Sequence, residues 1–116
     1  MAVEVPKKAE DEVLKLQQYQ QQLQMLSMQK QQLQSQVLEI EHSIKEIDNV
    51  TKEDVYEIVG TIMIKRDKHL LKNALMDKKK TIDLRQGVIE KQLDKISKKT
   101  SEIQAKVMEM IKGDSK

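Results

Sequence analysis

The run Val55-Tyr56-Glu57-Ile58-Val59-Gly60-Thr61-Ile62-Met63-Ile64-Lys65-Arg66 decides how this chain folds. It is β-branched and apolar, with one glycine near its centre. Gly60-Thr61 fits a two-residue loop with glycine first, a type II′ hairpin turn. Strands are expected over about 55–59 and 62–66. The whole connection, residues 49–66, has room for one hairpin and not two. Reading the alternation straight through puts Val55, Val59 and Met63 on one face and Tyr56, Ile58, Ile62 and Ile64 on the other. Both faces are then apolar. A lone hairpin is marginal in water, and its two unpaired edges invite other chains. The economical expectation is that several hairpins share a sheet or barrel. A hairpin folded back on its own helices is the simpler alternative, but it leaves both edges open.

Outward from the hairpin, both flanks read as long helix. In residues 9–48 the series Leu16, Tyr19, Leu23, Leu26, Lys30, Leu33, Val37, Ile40, Ile44 and Ile47 keeps 3-4 spacing without a break. Such a repeat marks a coiled coil rather than a helix lying on a globule. At about 1.5 Å per residue, this helix is a rod of roughly 60 Å. Glu10, Asp11 and Glu12 suit its positive N-terminal end, and Lys30 snorkels from the seam or sets its register. In residues 67–111, Leu75, Ile82, Ile89, Ile96, Ile103 and Met110 recur at sevens. Lys79, Gln86, Leu93, Thr100 and Val107 form the companion phase. Asp67 is the expected N-cap and Gly113 the expected stop. Gly87, inside this helix, costs about 1 kcal/mol relative to Ala. It is either a tolerated defect or a flexure point.

The fold class is therefore mainly α: a long antiparallel two-helix coiled coil joined by one β-hairpin, which assembles into an oligomeric β-barrel hub. Residues 1–116 are read as a single domain, with 9–48 as the first helix, 49–66 as linker and hairpin, and 67–111 as the second helix. Composition agrees. The 116 residues include no Phe, Trp or Cys and only two Tyr, so a spherical core, which normally leans on large aromatic side chains, is not expected. Without cysteine there is neither a disulfide framework nor a thiolate metal site. No apolar run reaches the roughly 18 residues of a membrane span, and the first residues lack a signal peptide's apolar stretch. A soluble, cytoplasmic protein without membrane partners is expected. Residues 1–64 carry 6 Lys and 11 acids, whereas residues 65–116 carry 15 Lys+Arg and 8 acids. Such opposed halves suit helices that fold back on each other.

That fold-back brings the termini together. Val3, Val5, Val13, Leu14 and Leu16 then approach Val107, Met108, Met110 and Ile111, more apolar side chains than a two-helix seam uses. Val13, Leu14, Met108 and Ile111 lie beside the repeat. The cluster is either plain seam with frayed ends or a small clamp for partners without a fixed sequence, for which Met is well suited. Nothing points to catalysis, a cofactor or a metal. His42 and His69 are isolated, and three glycines cannot build a phosphate-cradling loop. Lys78-Lys79-Lys80 is read as a solvated face or as a partner for the acidic first helix. Nucleic acid is disfavoured because the basic run lacks stacking or base-reading side chains.

Val55–Ile64 resembles the V-Y-K-x-V-G-x-x-L-[VI] hairpin of the β-type subunits of the prefoldin family, with Glu57 in place of the usual Lys and Met63 in place of Leu. The flanks agree: KLQQYQQQLQ in the first helix and VIEKQLDKI in the second. The likeness covers about 7–111, and the single hairpin matches β-type rather than α-type chains. The resemblance implies a hexamer of two α-type and four β-type subunits (α2β4), archaeal in origin. Each β-type chain gives one hairpin, here Val55, Tyr56, Ile58, Val59, Gly60, Ile62, Met63 and Ile64, to a double β-barrel hub. It also implies an ATP-independent holdase that captures unfolded client proteins at its arm tips and passes them to a group II chaperonin. Two other classes fit the helices alone. A structural coiled-coil spacer would dimerise and ignore unfolded proteins. A basic nucleic-acid-binding arm would bind with steep salt dependence.

Overall fold

The computed structural model describes residues 7–114, with side-chain surroundings for 7–112. Two helices flank one hairpin: α1 spans Lys7–Asn49, β1 Asp54–Val59, β2 Ile62–Asp67 and α2 Lys68–Asp114. Each helix runs through two compact units. One unit holds the chain up to Lys30 and from Val88 onward, and the other holds Gln31–Gly87.

In both units the burial follows the heptads. All ten expected positions from Leu16 to Ile47 are buried or half-buried, and every other residue between them is exposed. On α2 the eleven positions from Leu75 to Met110 are likewise buried or half-buried, and of the residues between them all but Gly87 are exposed. Ile40, Ile47, Ile82 and Val107 are among the best covered. Burying side chains of this size contributes about 1.5–3 kcal/mol each, which is what holds two charge-rich helices together. The helices are antiparallel within each unit. In the terminal unit Glu12 pairs with Lys106 at 3.6 Å and Lys30 with Glu90 at 3.5 Å. In the hairpin unit Glu41 pairs with Lys79 at 3.0 Å and Asp48 with Lys72 at 2.6 Å. Lys79, the middle of the triple-lysine run, thus meets the acidic first helix. Lys30 sits in the seam with its ammonium drawn out to a carboxylate.

The seam extends one step beyond the expected series. Ala9 is fully buried, and the Glu12 side chain is only 15% exposed. Both continue the spacing back from Leu16. At the other end Gly113 does not stop α2, which runs on to Asp114. A glycine inside the last turn costs about 1 kcal/mol but still donates and accepts like any residue, so it weakens the end without terminating it. Thr100 lies in the seam with its hydroxyl buried and unpartnered.

Candidate functional site

The hairpin is anchored before it is shaped. The Lys68 amide donates to the Glu53 carbonyl at 2.8 Å, the Val50 amide donates to the Ile47 carbonyl at 3.1 Å, and the Lys68 ammonium donates to the Val50 carbonyl. Asp67 caps α2 as its sequence position predicts, its Oδ1 accepting from the amides of His69 at 2.9 Å and Leu70 at 3.1 Å. The turn is the expected one. Gly60 has φ 62°, while no non-glycine among the described residues has positive φ. A type I′ turn needs positive φ at both central residues, so Thr61 excludes it and type II′ remains.

The pairing corrects the expected division of faces. Val59 lies opposite Ile62, Ile58 opposite Met63, Glu57 opposite Ile64, Tyr56 opposite Lys65 and Val55 opposite Arg66. Opposed residues share a face. Val55, Val59, Ile62 and Ile64 therefore stand together, and Tyr56, Ile58 and Met63 stand on the other side. Counting odd and even straight through the chain fails because a two-residue turn inverts the parity. The conclusion that both faces are apolar is unaffected.

The two faces are not equally covered. On the first, Val55, Glu57 and Ile64 are half-buried, and Glu57 accepts a hydrogen bond from Arg66 at 3.1 Å. The second is bare: Tyr56 is 61% exposed, Ile58 73% and Met63 67%. At its base Asp54 and Asp67 stand opposite each other. That repulsion is relieved because Lys65 takes Asp54 at 3.3 Å and Asp67 is engaged in the cap. At the turn Val59 and Ile62 are also exposed.

In the terminal unit the expected cluster divides. Leu16, Val107 and Met110 belong to the seam, and Val13 is half-buried beside it. Leu14, Met108 and Ile111 face outward. Val3 and Val5 lie outside the described residues. A second feature of this unit was not anticipated from the sequence. Tyr19, Leu26 and Ile96, all half-buried, form the base of a groove of about 400 Å³, with exposed Met25, Lys95 and Lys99 at its edges and Gln22, Gln29 and Gln92 along its walls. The Lys99 ammonium lies 5.9 Å from the centre of the Tyr19 ring. Its residues are seam and flank together, so no motif marks it.

Among the described residues no group of three or more His, Asp or Glu could hold a metal, and no helix is long and apolar enough to cross a membrane. What this arrangement offers is apolar surface and open strand edges.

Known proteins share both the sequence and the fold. The family model described as "Prefoldin subunit" matches residues 10–114. Two curated relatives are beta subunits of prefoldin. The one from Methanococcus vannielii is 48% identical over 94% of this chain and 96% of its own length. The one from Methanococcus maripaludis is 47% identical over the same shares. The crystal structure of the prefoldin beta subunit from Thermococcus strain KS-1 superposes with a TM-score of 0.84 at 29% identity, covering 93% of this chain and 96% of that one. A coiled-coil pair joined by a single exposed hairpin is thus an architecture with solved counterparts, and the chain belongs to the prefoldin family of chaperone subunits. Within that family its likeness is to the archaeal beta subunits.

Proposed function

We propose that the chain is the β-type subunit of an ATP-independent holdase. Its single domain joins α-type subunits in an α2β4 hexamer, each hairpin entering a β-barrel hub. The assembly works in the cytoplasm, captures unfolded polypeptides at the terminal ends of its arms and hands them to a group II chaperonin.

The observation that carries this reading is the bare hairpin face. Tyr56, Ile58 and Met63 form an apolar surface that the described residues leave largely exposed, on a strand pair whose two edges are unpaired among those residues. Closing such hairpins into a shared barrel buries the face and removes the edges together. Held by one hub, several weakly binding arms act on one client with high effective concentration, while each contact releases quickly.

At the client end, Leu14, Met108 and Ile111, with Val13 beside them, supply the outward apolar surface. Leu16, Val107 and Met110 hold it in place from the seam. Unfolded chains present matching apolar patches and folded ones do not. The test is the triple variant Leu14→Ser, Met108→Ser, Ile111→Ser, assembled with an α-type partner. Losing most of three side-chain contacts should remove about 1–2 kcal/mol per arm, roughly five- to thirtyfold in capture. Suppression of aggregation of a denatured client should fall while hexamer mass by native mass spectrometry stays constant. Undiminished protection counts against capture at this end.

A further inference from the structure

The groove in the terminal unit pairs an apolar base with cations that the opposite helix leaves unmatched. Interhelical ion pairs in this unit occur at Glu12–Lys106 and Lys30–Glu90. Between and beyond them α1 is bare of acids: residues 13–38 include Lys15 and Lys30 but no Asp or Glu. Across the seam α2 carries Lys91, Lys95, Lys98 and Lys99. Among the described residues none of these four lies within ion-pair distance of a carboxylate. Two of them, Lys95 and Lys99, edge the groove, and the Lys99 ammonium faces the Tyr19 ring.

We infer that this groove selects segments of unfolded polypeptide in which an apolar side chain is flanked by carboxylates. The apolar side chain lies against Tyr19, Met25, Leu26 and Ile96, and the flanking carboxylates reach Lys95 and Lys99. Met25 adapts its shape to differing side chains. The amides of Gln22, Gln29 and Gln92 can donate to or accept from any peptide backbone, so they hold a chain without reading it. Selection comes from charge alone. An acidic flank gains two exposed ion pairs and a basic flank meets two like charges, a contrast of roughly tenfold at low salt. This inference deepens the proposed function and rests on it, because it names the kind of client segment an arm prefers.

The test uses the full chain and short synthetic peptides that share one apolar centre and differ only in Glu, Gln or Lys flanks. Binding is read by fluorescence anisotropy. The Glu-flanked peptide should bind roughly tenfold tighter than the Lys-flanked one, the contrast shrinking as salt is added. The double variant Lys95→Gln, Lys99→Gln should bring all three peptides within about twofold of one another. The control Lys91→Gln, Lys98→Gln removes the same charge away from the groove and should preserve the contrast; circular dichroism confirms that both variants stay helical. Equal binding of the three peptides by the parent chain overturns the inference, and so does an equal loss of contrast in the control. Displacement of the Glu-flanked peptide by a single-stranded oligonucleotide at similar concentration overturns it as well, since the surface is then one for phosphates. Aggregation assays run in parallel separate the two claims. Intact protection without flank preference sinks this inference alone. Flank preference without protection sinks the holdase and leaves the groove's selectivity standing.

Discussion

Seam and hairpin are made of the same side chains in opposite circumstances. Ile40, Ile47, Ile82 and Ile89 are at most 9% exposed, whereas Ile58 is 73% exposed and Ile62 57%. In the seam each helix covers the other, so the apolar stripe is satisfied within one chain. In the hairpin one face keeps Val55 and Ile64 half-buried, while on the other Tyr56, Ile58 and Met63 stay exposed among the described residues. The lesson is that one sequence can be self-sufficient along its helices and incomplete at their junction, and the incompleteness marks where partners belong.

The comparison breaks most severely at the bare face. Tyr56→Asp together with Ile58→Asp should abolish assembly with an α-type partner, seen as loss of the large species in size-exclusion chromatography. Helical content should persist, because no seam residue is touched. Loss of helicity along with assembly would show that the hairpin is part of the helices' own core. The reverse substitution sharpens the same contrast. Ile82→Ala removes a side chain that is 5% exposed and should cost about 2–4 kcal/mol in thermal or denaturant unfolding of the assembly, without altering which partners are bound.

Smaller effects probe imperfections of the seam. Thr100→Val replaces a buried, unpartnered hydroxyl with a methyl group and should stabilise by about 1 kcal/mol. An unchanged or lower melting temperature would mean that the hydroxyl finds a partner in solution. Gly87→Ala should stabilise by up to about 1 kcal/mol, because an added Cβ meets nothing within 4 Å. If the gain comes with reduced client capture, Gly87 is a flexure point; if capture is unchanged, it is only a defect.

How legible all this is depends on which physical rule decides each element. The register from Leu16 to Ile47 could be read outright, because large apolar residues at heptad spacing have a single burial solution. Its extension to Ala9 and Glu12 could not, since a small residue and a carboxylate give no hydrophobic signal. The turn at Gly60 was legible from backbone sterics, and the Asp67 cap from its side chain. The face assignment of Ile62, Met63 and Ile64 needed the pairing itself, which a turn of even length shifts by one step. The outward placement of Leu14, Met108 and Ile111 followed from the repeat. The groove at Tyr19 and Lys99 did not, because it arises where seam and flank residues of two helices meet across more than 60 positions of sequence. Opposed net charges pointed to the fold-back but not to where the cross-helix pairs fall, which the glutamine-rich tract spaces widely.

That tract carries a consequence for the working environment of the molecule. Glutamine neither ionises nor attracts counterions, and the cross-helix bridges at Lys30, Asp48 and Glu41 are open to solvent. In concentrated brine those bridges fade, yet the aliphatic packing beneath them tightens with salting-out anions. Attachment of one helix to the other should therefore survive osmotic extremes that strip away charge-based discrimination, leaving the arm intact but less choosy.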